Sequence, residues 1–154
     1  MARVLIFGYG DPLYRDEGVG WHVADRLAAN LSSAEIEVLR LHQLIPETAE
    51  VLHGAAAVIF VGAAQDGEPG LIRCEPIEMP LAPVRFFHQF APAAVLTRAQ
   101  QLYRTAPKAV SVTLCGQDFE QGEGLSAPVE EAMPELVATV ESLARKLLSG
   151  ELAP

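Results

Sequence analysis

The sequence predicts an α/β fold: a single layer of mostly parallel, twisted sheet, about five strands wide, flanked by helices on both faces. Two observations carry this prediction. Apolar runs typical of buried strands alternate along the chain with segments whose apolar residues recur every three or four positions, as in helices. The 154 residues, half of them apolar and a fifth charged, also suit one compact domain. We therefore predict a single domain over residues 1–154.

The first predicted strand is an uninterrupted apolar run, Val4–Phe7, that ends at Gly8. Such a run is typical of a strand buried on both faces. Further strands are predicted over residues 35–41, 56–62, 71–79 and 109–116. Pro76 and Pro80 would interrupt hydrogen bonding in the fourth of these segments, so we expect it at an edge of the sheet.

The predicted helices lie between these strands and after the last one. They run from Glu17 onwards, over 46–54, over 91–104 and over 128–148. Right-handed crossovers through such helices would make the sheet mostly parallel. Because Pro134 falls inside the last segment, we expect that helix to begin or kink there.

The chain is acidic, with 11 Lys and Arg against 20 Asp and Glu and a net charge of −9. Nucleic acids and anionic membranes need a cationic protein surface, so the charge argues against both as partners. No segment reaches the roughly 18 uninterrupted apolar residues of a membrane span. Cys74 and Cys115 form no metal or disulfide pattern, which indicates buried thiols in a reducing compartment. We expect a cytoplasmic protein without membrane insertion.

A glycine-rich turn, GYGDPLYRDEGVG, follows the first strand at residues 8–20. Two glycines of a dinucleotide-binding G-x-G-x-x-G pattern are present, but Leu13 stands at the third position and no P-loop Gly-Lys-Ser/Thr follows. The turn also carries three carboxylates that would repel a phosphate, those of Asp11, Asp16 and Glu17. A nucleotide-binding α/β domain is therefore a distant alternative, and we expect no nucleotide cofactor.

Two other interpretations account for the carboxylates of this turn. Asp16 is a suitable helix N-cap, and Glu17 in the first helical turn would complement the helix dipole. Gly18 and Gly20, however, are unfavourable inside a helix, so they indicate that something approaches the backbone closely. Acidic groups beside open backbone at the end of a first strand suit a metal ion or another cationic ligand.

Residues 8–20 resemble the N-terminal signature of the hydrogenase maturation proteases, typically G-x-G-N-x-L-x-x-D-[DE]-G-x-G. Further segments resemble this family in the same order: HQLIPETAEVL, VIFVG followed by EPG, HQFAPAAVL, and SVTLCGQDFEQGEGLSAPVEEAM. The resemblance spans almost the whole chain and implies a twisted sheet flanked by helices. It also implies a hydrolase, because these endopeptidases remove a short C-terminal extension from the large subunit of nickel–iron hydrogenase after nickel insertion.

The resemblance further implies a metal site built from a glutamate, an aspartate and a histidine. The glutamate falls on Glu17 and the histidine on His88, whereas Gly62 stands at the position of the aspartate. Asp66, in the turn after the third strand, is a candidate substitute for the missing ligand. Without the resemblance, His88 among the phenylalanines of RFFHQF would fit a packed aromatic cluster. The metal is expected to be nickel carried by the substrate.

The implied function is cleavage of a nickel-loaded hydrogenase large-subunit precursor by an aspartyl-type or nickel-dependent maturation peptidase. Asp16 is the candidate acid–base or orienting group, and the group that activates water is not identified. Asp11 stands where the family commonly has asparagine, which adds a negative charge. Gly62 leaves a second function open, that of a catalytically degenerate family member that binds a hydrogenase subunit as an assembly factor.

Overall fold

The computed structural model describes residues 4–31, 35–77 and 92–150. Its strands are β1 (Val4–Tyr9), β2 (Ile36–Leu41), β3 (Ala57–Ala64), β4 (Ile72–Pro76) and β5 (Lys108–Cys115). They form one five-stranded sheet in the order β2-β1-β3-β5-β4. All neighbouring pairs are parallel except β4, which runs antiparallel to β5 at the edge. The predicted mostly parallel sheet and its predicted edge strand are both confirmed.

Helices cover both faces of the sheet, as predicted. They are α1 (Val19–Asn30), which follows a 3-10 turn at Arg15–Gly18, α2 (Thr48–Val51), α3 (Pro92–Tyr103) and α4 (Ala127–Ser149). The side chains of β1 alternate between the two faces. Val4 and Ile6 pack against α1 and α4, and Leu5 and Phe7 pack against α2 and α3.

Two helix predictions differ from the structure. The last helix does not begin at Pro134 but at Ala127, and it continues through the proline. Proline removes one hydrogen bond from a helix, yet buried apolar side chains on both sides of it, such as Met133 and Leu136, hold the helix against the sheet. The second helix is only Thr48–Val51, because turns occupy the rest of the predicted segment 46–54.

The two cysteines have different surroundings. Cys115 is buried, as expected, but Cys74 is exposed, because it lies on the edge strand β4, whose outer residues are open to solvent. Within the described ranges, no helix is both long enough and apolar enough to cross a membrane.

The four parallel strands end at the same edge of the sheet, here called the carboxyl edge. The loops that follow them, residues 10–18, 42–47, 65–71 and 116–126, therefore lie at this edge. In open α/β sheets, ligands bind in the crevice outside the carboxyl ends of the strands. The glycine-rich turn at residues 8–20 occupies this position.

The glycines of this turn allow α1 to lie directly on the sheet. A Cβ on Gly8 would stand 2.0 Å from the carbonyl oxygen of Gly20, and a Cβ on Gly20 would stand 2.5 Å from that of Val61. A Cβ on Gly18 would stand 2.7 Å from Cα of Pro12. The close approach that the sequence indicated is therefore made by the protein's own backbone, and these glycines need no ligand to explain them.

Gly8→Ala is accordingly expected to lower the free energy of unfolding by about 3 kcal/mol, because overpacking against rigid backbone is costly. Urea unfolding followed by circular dichroism would measure this loss. Gly124→Ala is a matched control: its φ is +94°, but no atom lies within 4 Å of its new Cβ. It should cost only about 1 kcal/mol from backbone strain. Equal losses in the two variants would contradict the packing explanation.

Candidate active site at the carboxyl edge of the sheet

Glu17 lies in the 3-10 turn directly after the first loop, with its side chain partly buried. Its Oε1 is 3.5 Å from where a Cβ on Gly10 would stand, so the carboxylate lies beside the turn that ends β1. No described residue forms a hydrogen bond or an ion pair with this carboxylate. Burial, followed by repulsion from Asp11, raises the pKa of Glu17. A partly desolvated carboxylate without a protein partner is suited to a cationic or hydrogen-bonding ligand.

Asp11 has a structural role in the same loop. Its Oδ1 accepts a hydrogen bond from the backbone N–H of Leu13 at 3.0 Å, which closes a local turn. An asparagine could accept the same bond through its amide oxygen. The charge is what distinguishes the aspartate here, since it is the charge that acts on Glu17.

Asp16 contacts the loop of residues 116–126 and is fully buried, at 0 % exposure. Its Oδ2 accepts hydrogen bonds from the backbone N–H groups of Gln117 (2.8 Å) and Asp118 (2.9 Å) and from the Ser126 hydroxyl (2.7 Å). Its Oδ1 accepts a fourth, from the backbone N–H of Ser126 at 2.8 Å. Ser126 is the N-cap residue of α4, so the carboxylate lies at the amino end of that helix, where an anion is favourable.

The predicted N-cap role of Asp16 is therefore wrong. Asp16 lies inside the 3-10 turn, the N-cap position of α1 is Gly18, and neither of these helices has a side-chain cap. Burial by itself would raise the pKa of Asp16, but the hydrogen bonds from Ser126, Asp118 and Gln117 together lower it. With both oxygens occupied, this geometry favours a structural role over proton transfer, although the catalytic role itself stays a prediction.

Backbone hydrogen bonds join the same two loops along their length. Leu13 accepts one from the N–H of Gly122 (2.8 Å), Arg15 donates one to the carbonyl of Gly122 (3.0 Å), and Asp16 donates one to the carbonyl of Asp118 (3.0 Å). An ion pair between Arg15 and Asp118, at 3.4 Å, adds to them at the surface. Glu17 is thus fixed on a framework made from residues 10–18 and 116–126.

Gly62 faces Tyr9, a residue that the sequence did not single out. Tyr9 ends β1, one position beyond the paired residues Gly8 and Val61. A Cβ on Gly62 would stand 2.8 Å from Cζ of Tyr9 and 3.1 Å from both adjacent ring carbons. The end of the ring that carries the hydroxyl therefore fills the space beside Gly62. Burial, and secondly the Glu17 carboxylate, raise the pKa of Tyr9, which places its hydroxyl in the field of Glu17.

Asp66, the candidate substitute ligand, pairs with a cation of its own protein. Its carboxylate lies 3.2 Å from the Arg73 guanidinium, and its side chain is 84 % exposed. Its backbone carbonyl accepts a hydrogen bond from the Cys115 thiol at 3.0 Å. In residues 4–31, 35–77 and 92–150, no three His, Cys, Asp or Glu side chains are grouped as a metal site would need. His88 lies outside the described residues, so the ligand roles of Glu17, His88 and Asp66 stay predictions.

The architecture is that of the hydrogenase maturation endopeptidases. The Escherichia coli hydrogenase maturating endopeptidase HybD superimposes with a TM-score of 0.79 at 22 % identity, over 94 % of this chain and 93 % of that one. The [NiFe] hydrogenase maturation protease HybD from Thermococcus kodakarensis gives a TM-score of 0.74 at 23 % identity, over 92 % and 99 %. The [NiFe] hydrogenase maturation protease HycI from the same organism gives a TM-score of 0.75 at 18 % identity, over 94 % of this chain and 93 % of that one.

At this level of identity the solved structures establish a shared fold. This is the fold that the motif resemblance implied. The sequence matches no family model and no curated protein. The loop that carries Glu17 is recognisable in the sequence, whereas Tyr9 is not. The only available signal was an aromatic residue between Gly8 and Gly10, in a chain that has Gly62 where a carboxylate was expected.

Proposed function

We propose that this chain is a peptidase that removes the C-terminal extension of a nickel-loaded hydrogenase large-subunit precursor. The observation that carries the proposal is the Glu17 carboxylate. It is partly buried, has no described partner, and is fixed at the carboxyl edge of a fold that the chain shares with several proteins named hydrogenase maturation proteases or endopeptidases. The nickel belongs to the substrate in this proposal, and the protein would act in the cytoplasm.

The chemistry of the edge suits a substrate that carries a cation. Burial and, after it, repulsion from Asp11 raise the pKa of Glu17. A divalent cation near Glu17 would offset both effects, because it stabilises the charged carboxylate. Nickel accepts carboxylate oxygen and imidazole nitrogen as ligands. Glu17 would supply the first kind, and the resemblance assigns the second kind to His88. Binding would therefore distinguish a loaded precursor from an empty one.

The surface around Glu17 also suits a polypeptide substrate. Of the six large apolar side chains exposed among the described residues, four lie in loops of the carboxyl edge: Leu13, Tyr14, Ile45 and Leu71. Single exposed apolar residues are common on protein surfaces. Their concentration at one edge, beside the unpaired carboxylate, supports contact with a protein partner there.

The proposal predicts that the purified chain shortens a nickel-loaded large-subunit precursor and leaves the nickel-free precursor intact. Mass spectrometry of the precursor would detect the loss of the C-terminal peptide. Cleavage of both forms would contradict recognition through nickel. Failure to cleave either form, with binding of the loaded precursor retained, would favour the second candidate function, an assembly factor that binds without cutting.

Gly62 is the observation behind that second candidate. Restoring an aspartate at this position is the obvious test, but Gly62→Asp alone would force its side chain into the Tyr9 ring, 2.8 Å from the new Cβ. The informative variant is therefore Tyr9→Val combined with Gly62→Asp, with Tyr9→Val as its control. Cleavage gained only by the double variant would identify the native chain as a binding protein.

A further inference from the structure

The Tyr9 hydroxyl lies at the carboxyl edge without a partner among the described residues. Tyr9 is partly buried, and it packs against the buried apolar cluster on the α2 and α3 face of the sheet. Its hydroxyl-bearing end lies over Gly62 and within the electrostatic influence of Glu17. No hydrogen bond joins this hydroxyl to any described residue. Tyr9 directly precedes Gly10, and a Cβ on Gly10 would stand 3.5 Å from Oε1 of Glu17. The phenol and the carboxylate thus lie at the same end of β1, and neither has a hydrogen-bond partner among the described residues.

Gly62 is what allows the phenol to take this position. The two residues that precede it in β3, Phe60 and Val61, have fully buried apolar side chains. Any Cβ at position 62 would stand within 3.1 Å of three ring atoms. Because backbone cannot move easily inside a paired strand, a larger residue there would displace the ring and carry the hydroxyl away from Glu17.

A phenol and a carboxylate make complementary demands on a ligand. At neutral pH a tyrosine hydroxyl is uncharged and donates one hydrogen bond, whereas an ionised carboxylate only accepts. A peptide group or a cation-bearing peptide segment can satisfy both, since its carbonyl oxygen accepts and its cation or N–H group interacts with the carboxylate. A bare cation offers the phenol no acceptor of its own, so only a ligand with an oxygen acceptor engages both groups.

We propose that the Tyr9 hydroxyl contacts the substrate directly, donating a hydrogen bond to a main-chain carbonyl oxygen of the precursor peptide held beside Glu17. This inference rests on the proposed function and adds a second contact group to the same site. Gly62 is then a specificity feature, because it creates the space in which the ring presents its hydroxyl. Tyr9, placed by Gly62, would bind the polypeptide, and Glu17 would bind the cation that the polypeptide carries.

The test is Tyr9→Phe, which keeps the ring over Gly62 and removes only the oxygen. We expect kcat/KM for the nickel-loaded precursor to fall about tenfold, the effect of losing one ligand hydrogen bond. The urea unfolding midpoint should stay unchanged, since no described residue bonds to the hydroxyl. Tyr103→Phe is the matched control: Tyr103 stacks on His53, away from the carboxyl edge, and its variant should keep full activity.

Gly62→Ala supplies the second arm. Its Cβ should displace the ring and lower kcat/KM by about the same tenfold, and the double variant Tyr9→Phe/Gly62→Ala should be no worse than either single one. Additive losses would show that the two residues act separately and would overturn the pairing. A Tyr9→Phe enzyme as active as the wild type would overturn the hydroxyl contact.

These outcomes separate this inference from the function on which it rests. If the wild type binds the loaded precursor without cleaving it, the same comparison is made on Kd, and Tyr9→Phe should bind about tenfold more weakly. If the wild type neither binds nor cleaves, the proposed function fails and this contact fails with it. Equal Kd or kcat/KM in the wild type and Tyr9→Phe rejects the contact alone.

Discussion

Glu17→Gln is expected to reduce processing of a nickel-loaded precursor by at least about 100-fold, because it removes the charge that would bind the substrate cation. The substitution keeps the shape of the side chain, so the loop around it should remain in place. Initial rates of peptide release, followed by mass spectrometry, would measure the loss. Glu135→Gln, at an exposed position of α4, is the matched control and should process the precursor at the wild-type rate.

The same variant should be at least as stable as the wild type at pH 7. The folded protein raises the pKa of Glu17 through burial and the nearby Asp11. For an acid whose pKa is raised on folding, stability is full below the unfolded value and falls as pH rises through the folded value. Glutamine has no such penalty. A Glu17→Gln protein that loses activity and also unfolds more easily would assign Glu17 a structural role instead.

Asp16→Asn, in contrast to Glu17→Gln, should destabilise the protein. We expect the free energy of unfolding to fall by about 3 kcal/mol. The amide would turn a donor towards one of the groups that now donate to the carboxylate, and the charge that strengthens these bonds would be lost. Urea unfolding would measure the loss, and amide hydrogen exchange should rise at Gln117, Asp118 and Ser126. Asp118→Asn weakens the surface pair with Arg15 and keeps an amide oxygen that can accept the bond from the Glu120 N–H, so it should cost less than about 1 kcal/mol.

The pH dependence gives a further check on Asp16. Its pKa is lowered in the folded protein, so its contribution is complete above the unfolded value of about 3.9 and is lost as pH falls through the folded value. The stability difference between the wild type and Asp16→Asn should therefore be constant near neutral pH and should shrink in acid. A difference that stays the same down to about pH 2 would contradict the assignment of the charge.

Local patterns were sufficient to predict most of the fold. The run Val4–Phe7 and its successors in β3 and β5 are apolar enough to identify buried strands, and Pro76 identified the edge. The alternation of strands and helices then leaves few topologies. The predicted helix start or kink at Pro134 considered only the backbone hydrogen bond that proline removes. The packing of α4 against the sheet, which keeps the helix continuous, is not visible in the local sequence.

The site was less predictable because its contacts join distant segments. Glu17 was found from its motif, but the reason for Gly20 lies in β3, at the carbonyl of Val61, and the partners of Asp16 lie in the loop before α4. The pairing of Tyr9 with Gly62 has the same character. Each residue is unremarkable in its own segment, and only the register of β1 against β3 brings them together.

The Asp16 contacts also determine when, during synthesis and folding, the loop around Glu17 becomes fixed. Asp16 and Ser126 are 110 positions apart, so the loop that holds Glu17 is not fixed until residues 116–126 have been synthesised. Contacts of such separation form late, since closing a long loop costs entropy before any bond is gained. A nascent chain that ends before Gly116 would carry the whole glycine-rich signature and yet lack its framework. The proposed contact of Glu17 with a substrate would therefore require residues 116–126 to be in place.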